Sequence, residues 1–295
     1  MRVSNGQGIN LNFNEFNIGL DSQSSSSDLV FLSHAHTDHI VRRPRCPVLS
    51  NELTAELARH RVGAEFELIK SCPDVELVDS GHVIGGTSLI ARSNGETFLY
   101  TGDFCPHDRF FLKGLRPVEC DTLVIESTYG LPKYDFDEPL EVLSRARDVI
   151  EDDLARGFNV VLWGYAFGKA QLLTKLVEGL SNVCAHPKIR LINSICRGHG
   201  WALPETQKLN GHQGFVYLTP SRKELSAFPK ARVYSFTGWG VNGVSDCFPL
   251  SDHASFTDLL RFVKACKPQK VLTHHGFNRE FAQLLRFEGF DARAI

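Results

Sequence analysis

The sequence contains no run of about 18 apolar residues, which excludes a membrane-spanning helix. Nothing resembling a signal-peptide hydrophobic region follows Met1-Arg2-Val3-Ser4-Asn5-Gly6, so no secretory leader is expected. Eight cysteines are scattered without a single C-x-x-C pair. That argues against a zinc finger or a disulfide framework and for buried thiols in a reducing cytoplasm. Charge of either sign is not in excess. There are 32 Lys and Arg against 34 Asp and Glu, a formal net charge of −2. Any nucleic-acid surface must then be a local patch rather than a global field. No solenoid-type repeat is present. A P-loop is excluded as well, because Gly164 to Lys169 is one residue short of G-x-x-x-x-G-K and no Ser or Thr follows the lysine. What remains is a 295-residue chain, 42% apolar and 22% charged. That is ordinary for a soluble globular protein and long enough for one large α/β domain or one domain interrupted by another.

The most informative stretch is Ser33-His34-Ala35-His36-Thr37-Asp38-His39. It follows the apolar run Leu29 to Leu32, which reads as a short buried strand. On extended backbone His34 and His36 project to the same side. A turn after them lets Asp38 and His39 face a second point. Imidazole nitrogen with carboxylate oxygen suits zinc, and also manganese or iron. Other apolar runs also end on residues of this chemistry. Phe16 to Leu20 ends at Asp21, Phe98 to Gly102 at Asp103, Thr122 to Ile125 at Glu126, and Lys270 to Thr273 at His274-His275-Gly276. Ser80-Gly81-His82 follows the strand Val75 to Val78. Taken singly, Asp21 and His82 are at least as well read as turn residues. Taken together, successive strands ending in ligand-type side chains argue for one catalytic edge.

Elsewhere, Asn51 to Val62 reads as a helix. Phe66 to Ile69 reads as a strand, and Ser88 to Arg92 with Glu96 to Tyr100 as a hairpin around Asn94-Gly95. Gln23 to Ser27 is a Ser-rich loop without a signal of order. From residue 132 the rhythm lengthens. Pro139 to Ala155 is an amphipathic helix with Val142, Leu143, Ala146, Val149 and Ile150 on one side. Asn159 to Trp163 is a strand running through a Gly-rich turn into a helix over Leu172 to Leu180. Such a turn is suited to receive a phosphate, with Lys169 nearby. Further strands are expected at Ile189 to Ile192, Gly214 to Leu218 and Ala231 to Phe236. The first pattern then returns, with helices over Ser255 to Cys266 and Arg279 to Phe287.

The set Asp21, H-A-H-T-D-H, G-H-V-I-G-G, Y-T-G-D, I-E-S-T-Y-G, S-D-H-A and T-H-H-G resembles the β-CASP branch of the metallo-β-lactamase superfamily, over almost the whole chain. The phrasing is most similar to compact prokaryotic 3′-end processing factor-like exonucleases, some of them associated with DNA ligase. The resemblance implies an α/β fold: a metallo-β-lactamase αββα sandwich over residues 1–131 and 246–295, with a small β-CASP α/β domain inserted over 132–245. It also implies two zinc ions. His34, His36 and His82 would hold the first, Asp38, His39 and His275 the second, and Asp103 would bridge them. Asp21 would orient the histidines, and Asp38, Glu126 and His253 would be catalytic. His274, the extra histidine of the doublet, would face the opposite side of its strand.

The function implied is a metal-dependent nuclease that hydrolyses phosphodiester bonds by a two-metal mechanism, with a DNA exonuclease as the alternative substrate reading. RNA is preferred because the branch's DNA-repair group tends to replace the last-motif histidine, retained here as His275. The expected partner is RNA or single-stranded DNA, with no membrane and with homodimerisation open, in the cytoplasm. Lys169, Arg197 and Arg222 are candidate phosphate contacts and Trp239 a candidate base platform. Two competing readings are a small-molecule thioesterase or lactonase on the same fold, and a nucleic-acid-binding pseudo-enzyme. The first has no need of the inserted block, and the second would have lost ligands.

Overall fold

A computed structural model describes all residues except 7, 15, 210–213 and 240–245. In chain order the first run of elements is β1 (Arg2–Asn5), β2 (Ile9–Phe13), β3 (Phe16–Leu20), β4 (Leu29–Phe31), β5 (Val48–Leu49), α1 (Glu52–Val62), β6 (Leu68–Ile69), β7 (Val75–Asp79), β8 (Thr87–Ser93), β9 (Glu96–Tyr100) and β10 (Thr122–Glu126). The middle run is α2 (Pro139–Ala155), β11 (Val160–Trp163), α3 (Lys169–Leu176), β12 (Val183–Ala185), α4 (Pro187–Gly198), β13 (Val216–Thr219), a 3-10 turn (Arg222–Ala227), β14 (Arg232–Phe236) and β15 (Asp246–Phe248). The last run is α5 (Phe256–Cys266), β16 (Lys270–His274), α6 (Asn278–Phe287) and β17 (Ala292–Ala294). The chain divides into two compact units. One is Met1–Pro106, Leu112–Asp135 and His253–Ile295; the other is His107–Phe111 with Phe136–Asp252. The expected boundary at residue 245 lies outside the described residues.

The first unit holds two six-stranded sheets, ordered β1-β2-β3-β4-β5-β6 and β17-β16-β10-β9-β8-β7. Side chains alternate across each strand, and the alternation sorts them into three layers. Leu11, Ile18, Phe31 and Leu49 of the first sheet meet Leu89, Phe98, Tyr100, Val124 and Leu272 of the second. The intervening residues face outward. Ile90, Leu99, Leu123, Ile125 and Val271 pack on Leu259, Phe262 and Val263 of α5 and on Phe281 and Leu285 of α6. Val30 and Val48 pack with Ala58 of α1 on the other side. The result is an αββα sandwich. Local signals support each helix. The Asn51 side chain accepts from the Thr54 amide at the start of α1, and Ser255 and Asp258 form a reciprocal cap on α5. The Ser-rich loop is ordered by its own hydroxyls, with Ser27 reaching the Asn10 side chain at 3.0 Å.

The second unit is an all-parallel five-stranded sheet ordered β12-β13-β11-β14-β15. Its core joins Val142, Ala146 and Ile150 of α2 to Val160, Leu162, Val216 and Leu218. The segment expected as a strand at Ile189–Ile192 is instead the middle of α4. Ile189, Ile192, Ile195 and Cys196 turn inward at three- and four-residue steps, while Leu191 stays exposed. Pro187 opens that helix, where its missing N–H costs nothing. The helix expected from Leu172 begins three residues earlier, at Lys169.

Within this unit two buried cations share one carboxylate. The Arg109 guanidinium donates to Asp252 Oδ1 at 3.1 Å and to the Ser251 carbonyl at 3.1 Å. The Lys169 ammonium donates to Asp252 Oδ1 at 2.9 Å and to the Leu250 carbonyl at 2.8 Å. Removing the anion from such a group leaves charge buried without compensation, at a cost of about 3–5 kcal/mol. Asp252→Ala is therefore expected to lower the urea midpoint of unfolding by a large margin. A midpoint equal to that of the wild type would show that the cluster is not an electrostatic clasp.

Candidate metal centre

Strands β3 and β4 run parallel, and so do β9, β10 and β16. Two antiparallel steps bring β7 into the same direction as β9. Their carboxyl ends therefore share one edge of each sheet. Asp21 follows β3, Ser33 to His39 follow β4, His82 follows β7, Asp103 follows β9, Glu126 closes β10, and His275 follows β16. Gly276 is required where β16 ends. It has φ +53°, and a Cβ there would lie 2.4 Å from the Ser127 carbonyl oxygen. The strand end carrying His275 can thus press against the end of β10.

Among the described residues, four groups offer ligand atoms within 4.8 Å of one another: His34, His36, His82 and Asp103; Asp21, His34 and His39; His39, Asp103 and His275; and Asp103, Glu126 and His253. His36 Nδ1 lies 3.0 Å from His34 Nε2 and 3.2 Å from His82 Nε2. Asp103 Oδ2 lies 3.6 Å from His34 Nε2, 3.7 Å from His82 Nε2 and 3.3 Å from His39 Nε2. It is common to both sets of histidines. Asp21 sits behind the ring of ligands, accepting from His39 Nδ1 at 2.9 Å and from the Tyr100 hydroxyl at 3.0 Å.

The electrostatics favour a neutral imidazole at His34 and a bare carboxylate at Asp103. Burial, then the neighbouring His39, His36 and His82, holds His34 well below the ordinary imidazole range. Burial also acts to lower His39, but Asp103 and Asp21 outweigh it and hold that imidazole well above the range. Burial would raise the Asp103 carboxyl, yet the imidazoles, His39 foremost, hold it well below the usual carboxylate range. Converging imidazole nitrogens with one carboxylate are the donor set of zinc and other borderline divalent cations. A carboxylate behind a ligating histidine is the usual support for such a site. The residues fit a bound divalent metal.

Asp38 is 75% exposed and its Oδ2 lies 3.8 Å from His39 Nε2, outside the four groups. Its charge also acts on the Arg61 guanidinium, against the lowering effect of burial there. His253 Nδ1 lies 2.9 Å and 3.1 Å from the two oxygens of buried Glu126. Glu126 also accepts from the Phe104 amide at 2.9 Å and from Thr128. His274 is buried, stacked on Tyr100 with ring centres 5.3 Å apart, and among the described residues both its ring nitrogens lack a hydrogen-bond partner. Burial, then His275, holds it well below the ordinary range, so it packs as a neutral aromatic.

Lys169 is a correction. It is 3% exposed and tied to Asp252 and Leu250, so its ammonium is spent inside the second unit and meets no phosphate. Arg197 donates to the Pro204 carbonyl at 3.4 Å. Arg222 is exposed, 5.9 Å from the centre of the Trp163 ring. Trp239 is half exposed. Sequence reasoning missed Ser33 and Tyr100, both of which touch Asp21; the only signal for Ser33 was its place between the strand and the first histidine. No helix among the described residues is long and apolar enough to cross a membrane. None of the eight cysteines forms a disulfide among the described residues.

No family model matches the chain. It is 33% identical over 290 residues to a probable DNA ligase of Opitutus terrae, covering 90% of this chain and 28% of that protein. It is 23% identical over 289 residues to the DNA cross-link repair 1A protein of Mus musculus, covering 82% of the chain and 28% of the relative. It is 32% identical over 126 residues to the cleavage and polyadenylation specificity factor subunit 3 of Dictyostelium discoideum, covering 42% of the chain and 15% of the relative. The chain therefore spans less than a third of the length of each of these proteins. A solved structure of a protein of unknown function from Enterococcus faecalis V583 matches with a TM-score of 0.61 at 13% identity, over 88% of this chain and 78% of that one, which is a likeness of fold. The layered sheets, the strand-end donors and these relatives together place the chain in the β-CASP branch of the metallo-β-lactamase superfamily.

Proposed function

We propose that the protein is a nuclease that hydrolyses phosphodiester bonds of DNA with the help of two zinc ions. The observation that carries this reading is Asp103, whose one carboxylate oxygen stands within 3.3–3.7 Å of Nε2 atoms from both histidine sets. His34, His36 and His82 would hold one ion and His39, His275 and Asp38 the other, with Asp103 between. Asp38 completes the second set by swinging its exposed carboxylate toward the nearby His39 Nε2. When bound, such a pair of ions neutralises phosphodiester charge and supplies a deprotonated water near neutral pH.

The chain's own part is orientation and proton transfer. Asp21 fixes His39 by accepting a hydrogen bond from its Nδ1–H. Glu126 does the same for His253, which leaves Nε2 of His253 to deliver a proton to a departing sugar oxygen. Glu126 can hold that post because a backbone amide and Thr128 saturate its remaining lone pairs.

DNA is placed first because most of the similar relatives carry DNA repair or DNA ligation in their names. RNA is the second reading. It is supported by His275, the residue on which the sequence-based preference rests, and by the likeness to the cleavage and polyadenylation factor. The test is digestion of end-labelled DNA and RNA of matched sequence by zinc-loaded protein, with the product ends identified. Cleavage of DNA in preference to RNA is expected, and the reverse preference would select the second reading. Hydrolysis of small esters with both polymers left intact would overturn the nuclease reading.

A further inference from the structure

Ser33 sits between the end of β4 and His34, and it is buried. Its amide donates to Asp21 Oδ1 at 2.7 Å and its hydroxyl to Asp21 Oδ2 at 2.6 Å. The same Oγ lies 2.9 Å from His34 Nδ1. A hydroxyl carries one proton, and a carboxylate accepts without donating. The Ser33 proton is therefore committed to Asp21, and its oxygen must accept from His34. That places the His34 proton on Nδ1 and turns the Nε2 lone pair toward His36 and Asp103. On the other side, Asp21 accepts directly from the His39 Nδ1–H. The backbone of Gly102 approaches Ser33 closely. Gly102 has φ +54°, and a Cβ on it would lie 2.9 Å from Ser33 Cβ and 3.1 Å from Oγ. The Ser33 carbonyl is also held, by the Thr87 amide at 2.9 Å.

We propose that Ser33 is a positioning residue that passes the orienting hydrogen bond of Asp21 on to His34, so that one carboxylate sets the imidazoles of both metal sets, His39 directly and His34 through the hydroxyl. This rests on the metal reading above. Its consequence is selective: loss of the hydroxyl should touch the ion held by His34, whereas loss of Asp21 should touch both.

The test is titration of metal-free protein with Zn²⁺ against a chromophoric chelator, for the wild type, Ser33→Ala, Ser33→Thr and Asp21→Asn. Loss of a group that orients a ligating histidine weakens metal affinity by about 10–100-fold. That loss is expected in one of two zinc equivalents for Ser33→Ala, in neither for Ser33→Thr, and in both for Asp21→Asn. Two equivalents of unchanged affinity in Ser33→Ala would overturn the proposal while leaving the metal reading intact. Equal weakening of both equivalents in Ser33→Ala would overturn it too, assigning Ser33 to the loop's shape alone. Wild-type protein that binds no zinc would overturn both this proposal and the metal reading. Long-range proton–nitrogen NMR correlations on metal-free wild-type protein give a readout that needs no variant. His34 protonated on Nδ1 is the expected tautomer, and a proton on Nε2 would defeat the relay.

Discussion

Asp103→Ala is expected to strip the protein of both metal equivalents and to lower cleavage of nucleic acid by at least about 10²–10³-fold, the cost of losing one preorganised electrostatic group at a reacting centre. What surrounds the Asp103 carboxylate sets this expectation. It is nearly buried, and its Oδ2 faces His34, His39 and His82 at 3.3–3.7 Å. It belongs to three of the four groups able to hold an ion. Without it, the histidines converge on a cavity with no anion between them. Two divalent cations would then have to share that space without the one carboxylate that faces both. A purely local ligand behaves otherwise: removing His36, on the outer side of the first set, should weaken one equivalent and spare the second. Elemental analysis of carefully prepared protein checks the stoichiometry. Two ions retained by Asp103→Ala would show that the carboxylate bridges nothing, and one ion or none in the wild type would remove the two-metal reading.

The legible parts of this molecule are those in which a local pattern and the tertiary structure demand the same thing. β3, β4, β9, β10 and β16 are short apolar runs, and each delivers a polar side chain at its carboxyl end, where the parallel direction of the strands collects them. Helices α1, α5 and α6 each carry one apolar stripe, and α1 and α5 also carry a side-chain cap. Four residues were too few to separate period 2 from period 3.6 at Ile189–Ile192, and the neighbours that decide for α4, Ile195 and Cys196, lie beyond that window. β12, with three residues, has no period to read. Arg109 belongs to the second unit, and its guanidinium reaches Ser251 and Asp252, more than 140 residues away. No local signal encodes that clasp, and the same clasp turned Lys169 from an expected phosphate contact into a buried counter-charge.

His253→Ala is expected to keep both metals, to lose about 10²–10⁴-fold in rate on DNA or RNA, and to retain most of its activity on bis(p-nitrophenyl) phosphate. The range is what a general acid contributes. The contrast between substrates follows from the leaving group. A sugar alkoxide is a strong base and leaves slowly without a proton, whereas nitrophenolate leaves readily as the anion. His253 is built to supply that proton. Buried Glu126 receives its Nδ1 at 2.9 Å, and Glu126 is itself pinned by the Phe104 amide and Thr128. The alternative is that His253 is a ligand, since Asp103, Glu126 and His253 together also form a group able to hold an ion. The metal count separates the two: a ligand variant loses an equivalent and slows on both substrates, whereas an acid variant loses neither the metal nor the activated ester. Equal slowing on both substrates with two ions retained would show that His253 orients or binds the substrate and transfers no proton. Glu126→Gln adds a second check. It keeps the shape of the pair but removes the charge that favours the imidazolium, so its deficit should follow that of His253→Ala in sign and in substrate dependence.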